Sequence, residues 1–150
     1  MEGFAFTTSL DLIMGYYTIR LDSDAQNITI ILPWGKYSCM RLPMGVSCSA
    51  DIIQEKMSGL MEILEYVRVY LDDLLTITKD SLEDHLAKLK HVLIWLQNAN
   101  LNVNAAKSSF CMDEVEYLGY ILTQNGIKPV PEKISAILAI EAPKNVKELL

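Results

Sequence analysis

The sequence predicts an α+β domain: an antiparallel sheet with helices packed on one face. Two patterns predict it. β-Branched and aromatic segments come in pairs joined by short turns, and helical segments with apolar stripes lie between those pairs. A third observation sets the scale. The chain has 150 residues, the size of one domain, and folding buries roughly 70% of the surface of a chain this long.

In chain order, Thr7 to Leu12 reads as a strand. Asn27 to Leu32 and Tyr37 to Arg41 read as a hairpin turning through Pro33-Trp34-Gly35. A helix is expected from about Ser49 to Glu65, with Ile53, Met57, Leu60, Met61 and Leu64 on one stripe and Asp51, Glu55 and Glu62 opposite. Tyr66 to Thr78 then reads as a hairpin with Asp72-Asp73 at its turn. Ser81, with Asp84 three residues on, caps a helix running to Asn98. Its apolar face is expected to be Leu82, Leu86, Leu89, Leu93 and Leu96, with His85 at the boundary and His91 on the surface. Another hairpin is expected over Ser109 to Thr123, turning near Asp113-Glu114. Pro131 opens a helix to about Ile140, and Pro143 separates it from a last segment, Asn145 to Leu150, that stops without a cap.

Composition excludes several classes. Hydrophobic residues make up 51% and charged residues 21%, which argues against disorder. No apolar run approaches the ~20 residues of a membrane span, and the first six residues lack a basic targeting start. No membrane partner is therefore expected. Cys39, Cys48 and Cys111 are odd in number and widely spaced, as in reduced intracellular thiols. The net charge of −6 gives no basic excess that would announce a nucleic-acid partner.

The residues most in need of a chemical reason are Asp72 and Asp73. Aspartate is poor in strands, and this pair is flanked by Tyr70-Leu71 and Leu74-Leu75. Alone, the pair fits a surface turn. Asp11 changes the balance, because it lies in the buried-looking strand Ser9-Leu10-Asp11-Leu12-Ile13, where a bare charge is costly. Two carboxylates at 4 Å repel by about 4 kcal/mol at an effective dielectric of 20. Three together call for a cation, and oxygen-only ligands favour Mg²⁺ or Mn²⁺. Other chemistries are poorly supported. His85 and His91 point to different helix faces, and no CxxC pair exists for zinc. Gly45-Val46-Ser47-Cys48-Ser49 lacks the second glycine of a nucleophile elbow. Neither standard phosphate-cradling glycine loop is present.

The order of these pieces resembles the reverse transcriptase of gypsy-type long-terminal-repeat retrotransposons, from about Phe6 to Leu150. Five blocks carry the resemblance: Ser9-Leu10-Asp11-Leu12 with Gly15-Tyr16-Tyr17; Pro33-Trp34-Gly35-Lys36-Tyr37; Arg41-Leu42-Pro43-Met44-Gly45; Tyr70-Leu71-Asp72-Asp73; and Tyr117-Leu118-Gly119-Tyr120. Gly126 to Pro129, Pro131 to Lys133 and Asn145 to Leu149 continue it. The resemblance implies a polymerase palm over residues 1–124, with the fingers segment truncated, and the start of a thumb or connection region over 125–150.

It further implies that Asp11, Asp72 and Asp73 are catalytic and hold two Mg²⁺ ions, for which Mn²⁺ substitutes. Leu12, Tyr16, Met44, Gly45 and Lys107 would line the deoxynucleoside triphosphate site, with the Tyr16 ring excluding a ribose 2′-hydroxyl. Read alone, Tyr16 fits core packing and Lys107 an ordinary solvated lysine. Tyr117, Leu118, Gly119 and Tyr120 would form the primer grip. Ala50, Ile53, Ser47 and Cys48 depart from the family's usual Pro, Phe and Lys-Asn beside the nucleotide.

The implied partners are an RNA or DNA template with its primer, deoxynucleoside triphosphates, and the remaining segments of a Pol polyprotein: fingers, connection and RNase H. The implied location is intracellular, in a cytoplasmic virus-like particle or the nucleus. The activity this implies is RNA-directed DNA polymerisation. The alternative is an inactive retroelement relic or a domesticated protein-interaction module.

Overall fold

The computed structural model describes residues 3–140. Its elements, in chain order, are β1 (Phe6–Ile13), α1 (Gly15–Thr18), a 3-10 turn (Ala25–Asn27), β2 (Thr29–Leu32), β3 (Gly35–Ser38), α2 (Ser49–Met61), β4 (Val67–Tyr70), β5 (Asp73–Thr78), α3 (Leu82–Asn98), β6 (Asn102–Val103), β7 (Ser109–Met112), β8 (Glu114–Tyr117), β9 (Tyr120–Thr123), β10 (Gly126–Pro129) and α4 (Pro131–Leu138). The expected segment Asn145 to Leu150 lies outside the described residues.

Strand β1 is the hub. It alternates Thr8, Leu10 and Leu12 toward one face with Ser9 and Asp11 toward the other, as the two-residue strand period requires. β5 pairs along one side of it, antiparallel, and β4 pairs with β5 to form that edge. β6 and β7 share the other side: β6 opposite Leu12 and Ile13, β7 opposite Thr7 and Ser9. All of these pairings are antiparallel, giving the order β4-β5-β1-β6 with β7 also on β1.

Helices α2 and α3 cover one face. Ile53, Met57 and Met61 of α2 and Leu89, Val92 and Leu96 of α3 share a core with Leu10, Leu12 and Leu74. The opposite face receives the small β8-β9-β10 sheet, whose Val115, Tyr117 and Leu122 pack on Leu75 and Phe4. The α+β class and the antiparallel sheet with helices on one face are thus as the sequence pattern leads one to expect. No helix among the described residues is long and apolar enough to cross a membrane.

Three expectations need correction. The hairpin at the end of the chain does not turn at Asp113-Glu114. β7 leaves to pair with β1, and the turn is Leu118-Gly119, where both residues have positive φ (50° and 77°). Two-residue hairpin loops favour such backbones, and glycine supplies one without steric cost.

The buried face of α3 is also rotated from the leucine stripe. Leu82, Leu86 and Leu93 are about 40–50% exposed, while His85, Leu89, Val92 and Leu96 are buried. His85 is therefore a core residue. Its ring bridges the Thr8 and Thr78 hydroxyls, each 2.8 Å away, so both ring nitrogens are satisfied and the polar group can be buried. Finally, α2 ends at Met61 instead of Glu65, and Leu64 reaches the core from the following turn.

Candidate active site

Asp11 sits directly opposite Asp73 in the β1–β5 ladder. Like charges opposite one another weaken a sheet, so this pairing needs a reason beyond folding. The β4–β5 hairpin closes with Tyr70 opposite Asp73, leaving Leu71-Asp72 as the two-residue turn. Asp73 is therefore the first residue of β5, and Asp72 alone occupies the turn. Leu71 takes a left-handed backbone, φ 52°, which is costly for a residue with a Cβ. The Leu12 N–H donates to the Asp72 carbonyl at 3.0 Å, joining the turn to β1. All three aspartates thus gather at one end of the sheet.

The backbone of Asp11 is held from both sides. Its N–H donates to Ser108 Oγ (3.1 Å), whose hydroxyl donates to the Asn104 carbonyl (2.8 Å). The Asn104 N–H returns to the Asp11 carbonyl at 2.8 Å. Ser108 and Asn104 have no part in the sequence motifs. Only their place flanking Lys107 could have drawn attention to them.

The electrostatics bear the mark of crowded carboxylates. Burial, then the charges of Asp73 and Asp11, push the Asp72 carboxyl above the ordinary carboxylate range. Asp73 is raised by burial and then by Asp11. Burial, then Asp73 and Tyr70, push Tyr117 up to about 12, which puts the small sheet's tyrosine within electrostatic reach of the site. Asp72 Oδ1 is buried and has no hydrogen-bond partner. Such an atom is costly.

The donors at this end of the sheet fit a hard divalent cation: they are all oxygens, and one is buried without a partner. Among the described residues no three acidic, histidine or cysteine side chains already close into a metal cage. Mg²⁺ commonly completes its shell with waters and substrate phosphates.

Beside Asp72 opens a cleft of about 470 Å³, lined by Tyr16, Met44, Gly45, Val46, Ser49 and Ala50 among others. Tyr16 is raised by burial, then by Asp72 and Tyr70. Three of the five residues expected at a triphosphate site therefore meet in one cleft with Asp72. Gly45 has φ 91° and nothing within 4 Å of where a Cβ would lie, so glycine serves the backbone turn here. Leu12 is different: its side chain is in the core, and only its N–H serves the site. Lys107 is exposed between β6 and β7 and does not line the cleft. Tyr117 to Tyr120 form the β8–β9 turn, with Tyr117 buried and Leu118 and Tyr120 exposed.

A family model described as "Reverse transcriptase (RNA-dependent DNA polymerase)" matches residues 3–122. The chain belongs to the reverse transcriptase family. It is 37% identical over 147 residues to the Retrovirus-related Pol polyprotein from transposon opus of Drosophila melanogaster, covering 96% of this chain and 15% of that protein. It is 35% identical over 135 residues to the corresponding polyprotein from transposon gypsy of the same organism, covering 88% of this chain and 13% of that one. The chain thus spans about one seventh of the length of these relatives.

Among solved structures, a foamy viral protease-reverse transcriptase in complex with ds DNA superposes with a TM-score of 0.91 at 25% identity, over 99% of this chain and 26% of that one. The same viral protein in complex with an RNA/DNA hybrid gives 0.85 at 27% identity, over 97% of this chain and 20% of that one. The family resemblance read from the five sequence blocks is borne out.

Proposed function

We propose that this chain is the palm of an RNA-directed DNA polymerase acting as part of a Pol polyprotein. Residues 1–124 form that palm, and 125–150 begin the thumb or connection region. The observation that carries the reading is the convergence of Asp11, Asp72 and Asp73 at one sheet end, beside a cleft that also holds Tyr16, Met44 and Gly45. The reaction is in-line attack of a primer 3′-hydroxyl on the α-phosphorus of a deoxynucleoside triphosphate, with pyrophosphate leaving.

Asp11, Asp72 and Asp73 would hold two Mg²⁺ or Mn²⁺ ions, which when bound lower the pKa of the 3′-hydroxyl and neutralise phosphate charge. The protein's remaining work is positioning, the main protein contribution to phosphoryl transfer. Met44 and Gly45 offer a wall to the nucleotide. The Tyr16 ring, in the cleft beside Asp72, would exclude a ribose 2′-hydroxyl. Lys107 lies outside the cleft and would have to bring its positive charge to the triphosphate from the segment that fixes Asp11. The Leu118-Gly119 turn, anchored by Tyr117 on the face that carries Asp73, steadies the primer end. Template–primer and deoxynucleoside triphosphates are the partners of this site, and its setting is intracellular.

An inactive relic or an interaction module gains nothing from keeping three carboxylates in mutual repulsion, so their retention supports the polymerase. The test is Mg²⁺- or Mn²⁺-dependent extension of oligo(dT) on poly(rA) by the polyprotein carrying this segment. Asp72→Asn should abolish extension while the circular dichroism spectrum is unchanged. Extension retained by a folded Asp72→Asn variant would overturn the assignment.

A further inference from the structure

Asp72 lies outside the strand ladder, so its position depends on what holds the Leu71-Asp72 turn. One restraint comes from β1, through the Leu12 N–H. The other comes from the helical layer. Gln54 of α2 accepts the Leu71 N–H on Oε1 at 2.8 Å, while its Nε2 donates to the Val69 carbonyl at 3.3 Å and to Ser58 Oγ at 2.9 Å. The amide orientation is fixed by its partners, because an N–H faces Oε1 and a carbonyl faces Nε2. Both arms of the amide therefore grip the backbone of one hairpin end.

The bond falls where the turn is least favourable. Leu71 holds a left-handed backbone without being glycine, a conformation that persists only when its surroundings impose it. The same helix begins at the cleft, where Ser49 and Ala50 line the wall, and Ile53 packs beside Gly15. α2 thus touches the cleft at its first turn and the Asp72 turn one turn later.

We propose that Gln54 is a positioning residue: its side-chain amide clamps the Leu71-Asp72 turn to the cleft-lining helix and thereby sets the orientation of the Asp72 carboxylate toward a bound divalent cation. Gln54 touches neither substrate nor reacting atoms and acts only through Asp72. The inference rests on the proposed metal role of the three aspartates.

The test uses the 150-residue chain and Mn²⁺ as the probe, with affinity read from water-proton relaxation and the Leu71 amide followed by hydrogen exchange. Gln54→Met keeps the volume and removes all three hydrogen bonds, two to the hairpin backbone and one to Ser58. Gln54→Glu keeps an acceptor for the Leu71 N–H, and Asp72→Asn reports on the metal reading itself. Losing a partner that orients a ligand typically weakens metal binding by about 10–100-fold.

The expected result for Gln54→Met is about tenfold weaker Mn²⁺ binding and at least about tenfold faster Leu71 exchange, with the thermal midpoint little changed. Gln54→Glu should keep the Leu71 amide protected. Wild-type Mn²⁺ affinity in Gln54→Met would overturn the clamp. So would loss of Leu71 protection in a folded Gln54→Glu, a second route should the methionine variant not fold. Undiminished Mn²⁺ binding in Asp72→Asn would instead remove the metal reading, and the inference with it.

Discussion

Asp72 and Gly15 are adjacent parts of one constraint. A Cβ built on Gly15 would lie 2.6 Å from Asp72 Oδ1 and 3.1 Å from Ile53 Cδ1, so the carboxylate occupies space that only glycine leaves free. Gly15→Ala should destabilise the chain by about 1–2 kcal/mol through this overlap. In an Asp72→Ala background the same change should be neutral or stabilising, since alanine is the better helix former. A double-mutant cycle by urea denaturation measures the coupling, and additive effects would refute the steric account. The charges make a second prediction. Asp72 and Asp73 have folded-state pKa values raised above 3.8. The folded chain therefore holds its protons more tightly than the unfolded one. The stability this contributes is full below 3.8 and disappears as pH climbs through the raised values. Above the raised values both groups are charged and weaken the fold. Asp72→Asn should then raise stability at pH 7 by about 1 kcal/mol or less, allowing for solvent screening. The gain should shrink as pH falls through the raised values and be gone below 3.8, and in the wild type Mn²⁺ should narrow the gap. A variant less stable than wild type at pH 7 would contradict this. Asp72 and Asp73 were legible as chemistry in the sequence only together with Asp11, because the acidic pair alone fits a surface turn. Gln54 and Ser108 were not legible, since each acts through backbone partners that become neighbours only on folding.

At the scale of the elements, α3 shows what a stripe of one residue type conceals. Five leucines at helical spacing drew the apolar face toward Leu82, Leu86 and Leu93, yet the inward face runs through His85, Leu89, Val92 and Leu96. Histidine reads as polar until two threonines on β1 and β5 are seen to satisfy it, and their distance in sequence hid that arrangement. Thr8 Oγ accepts from the Cys111 N–H, and Thr78 Oγ lies 3.5 Å from the Phe6 carbonyl as donor. The proton assignment that satisfies every partner puts the hydrogen on Nδ1, with Nε2 accepting from Thr8. Burial lowers the His85 pKa below 6.5, opposed by Asp84 and aided by Lys88. A depressed histidine contributes stability that is full above 6.5 and lost as pH falls through the folded value. Below pH 6.5 the chain should therefore lose up to about 1.4 kcal/mol per pH unit. His85→Gln, which has no charge to gain, should flatten that loss. Chemical denaturation at pH 7.5, 6.5 and 5.5 in an Asp72→Asn/Asp73→Asn background keeps the opposing carboxylates out of the comparison. A pH slope unchanged by His85→Gln would show that the ring is not the group responsible. The missed β8–β9 turn has a similar origin. Asp113-Glu114 has turn-like composition, but the backbone reverses at Leu118-Gly119, where positive φ is met. The pairing of β7 with β1 could not be seen locally.

Across the whole molecule, the α+β layering was legible because its signals are local: hairpin periods, helix stripes and the order of the blocks. Which sheet each hairpin joins was not, because that depends on contacts as distant as Thr7 with Met112. Charge is the property that belongs to the whole chain and to no single element. The net charge is −6, and three of the acidic groups converge where a polyanionic substrate would be handled. Nucleic-acid affinity normally comes from Lys and Arg neutralising phosphates, each contact adding about −0.9 to the slope of log affinity against log salt. A chain with 13 basic and 19 acidic residues has little of that term to offer. Its own affinity for an RNA/DNA hybrid should be weak, with a slope corresponding to only about one or two phosphate contacts. On the reading proposed above, a Pol polyprotein carrying it should bind more tightly and with a steeper slope. Fluorescence anisotropy of a labelled hybrid between 50 and 200 mM salt separates the two, because six or more contacts would change affinity by about a thousandfold over that interval. A slope that steep for the 150 residues alone would mean that the basic side chains already form a continuous phosphate track. A shallow slope would fit the proposed reading, in which other segments of a Pol polyprotein grip the template and the carboxylates here serve the reacting end of the primer.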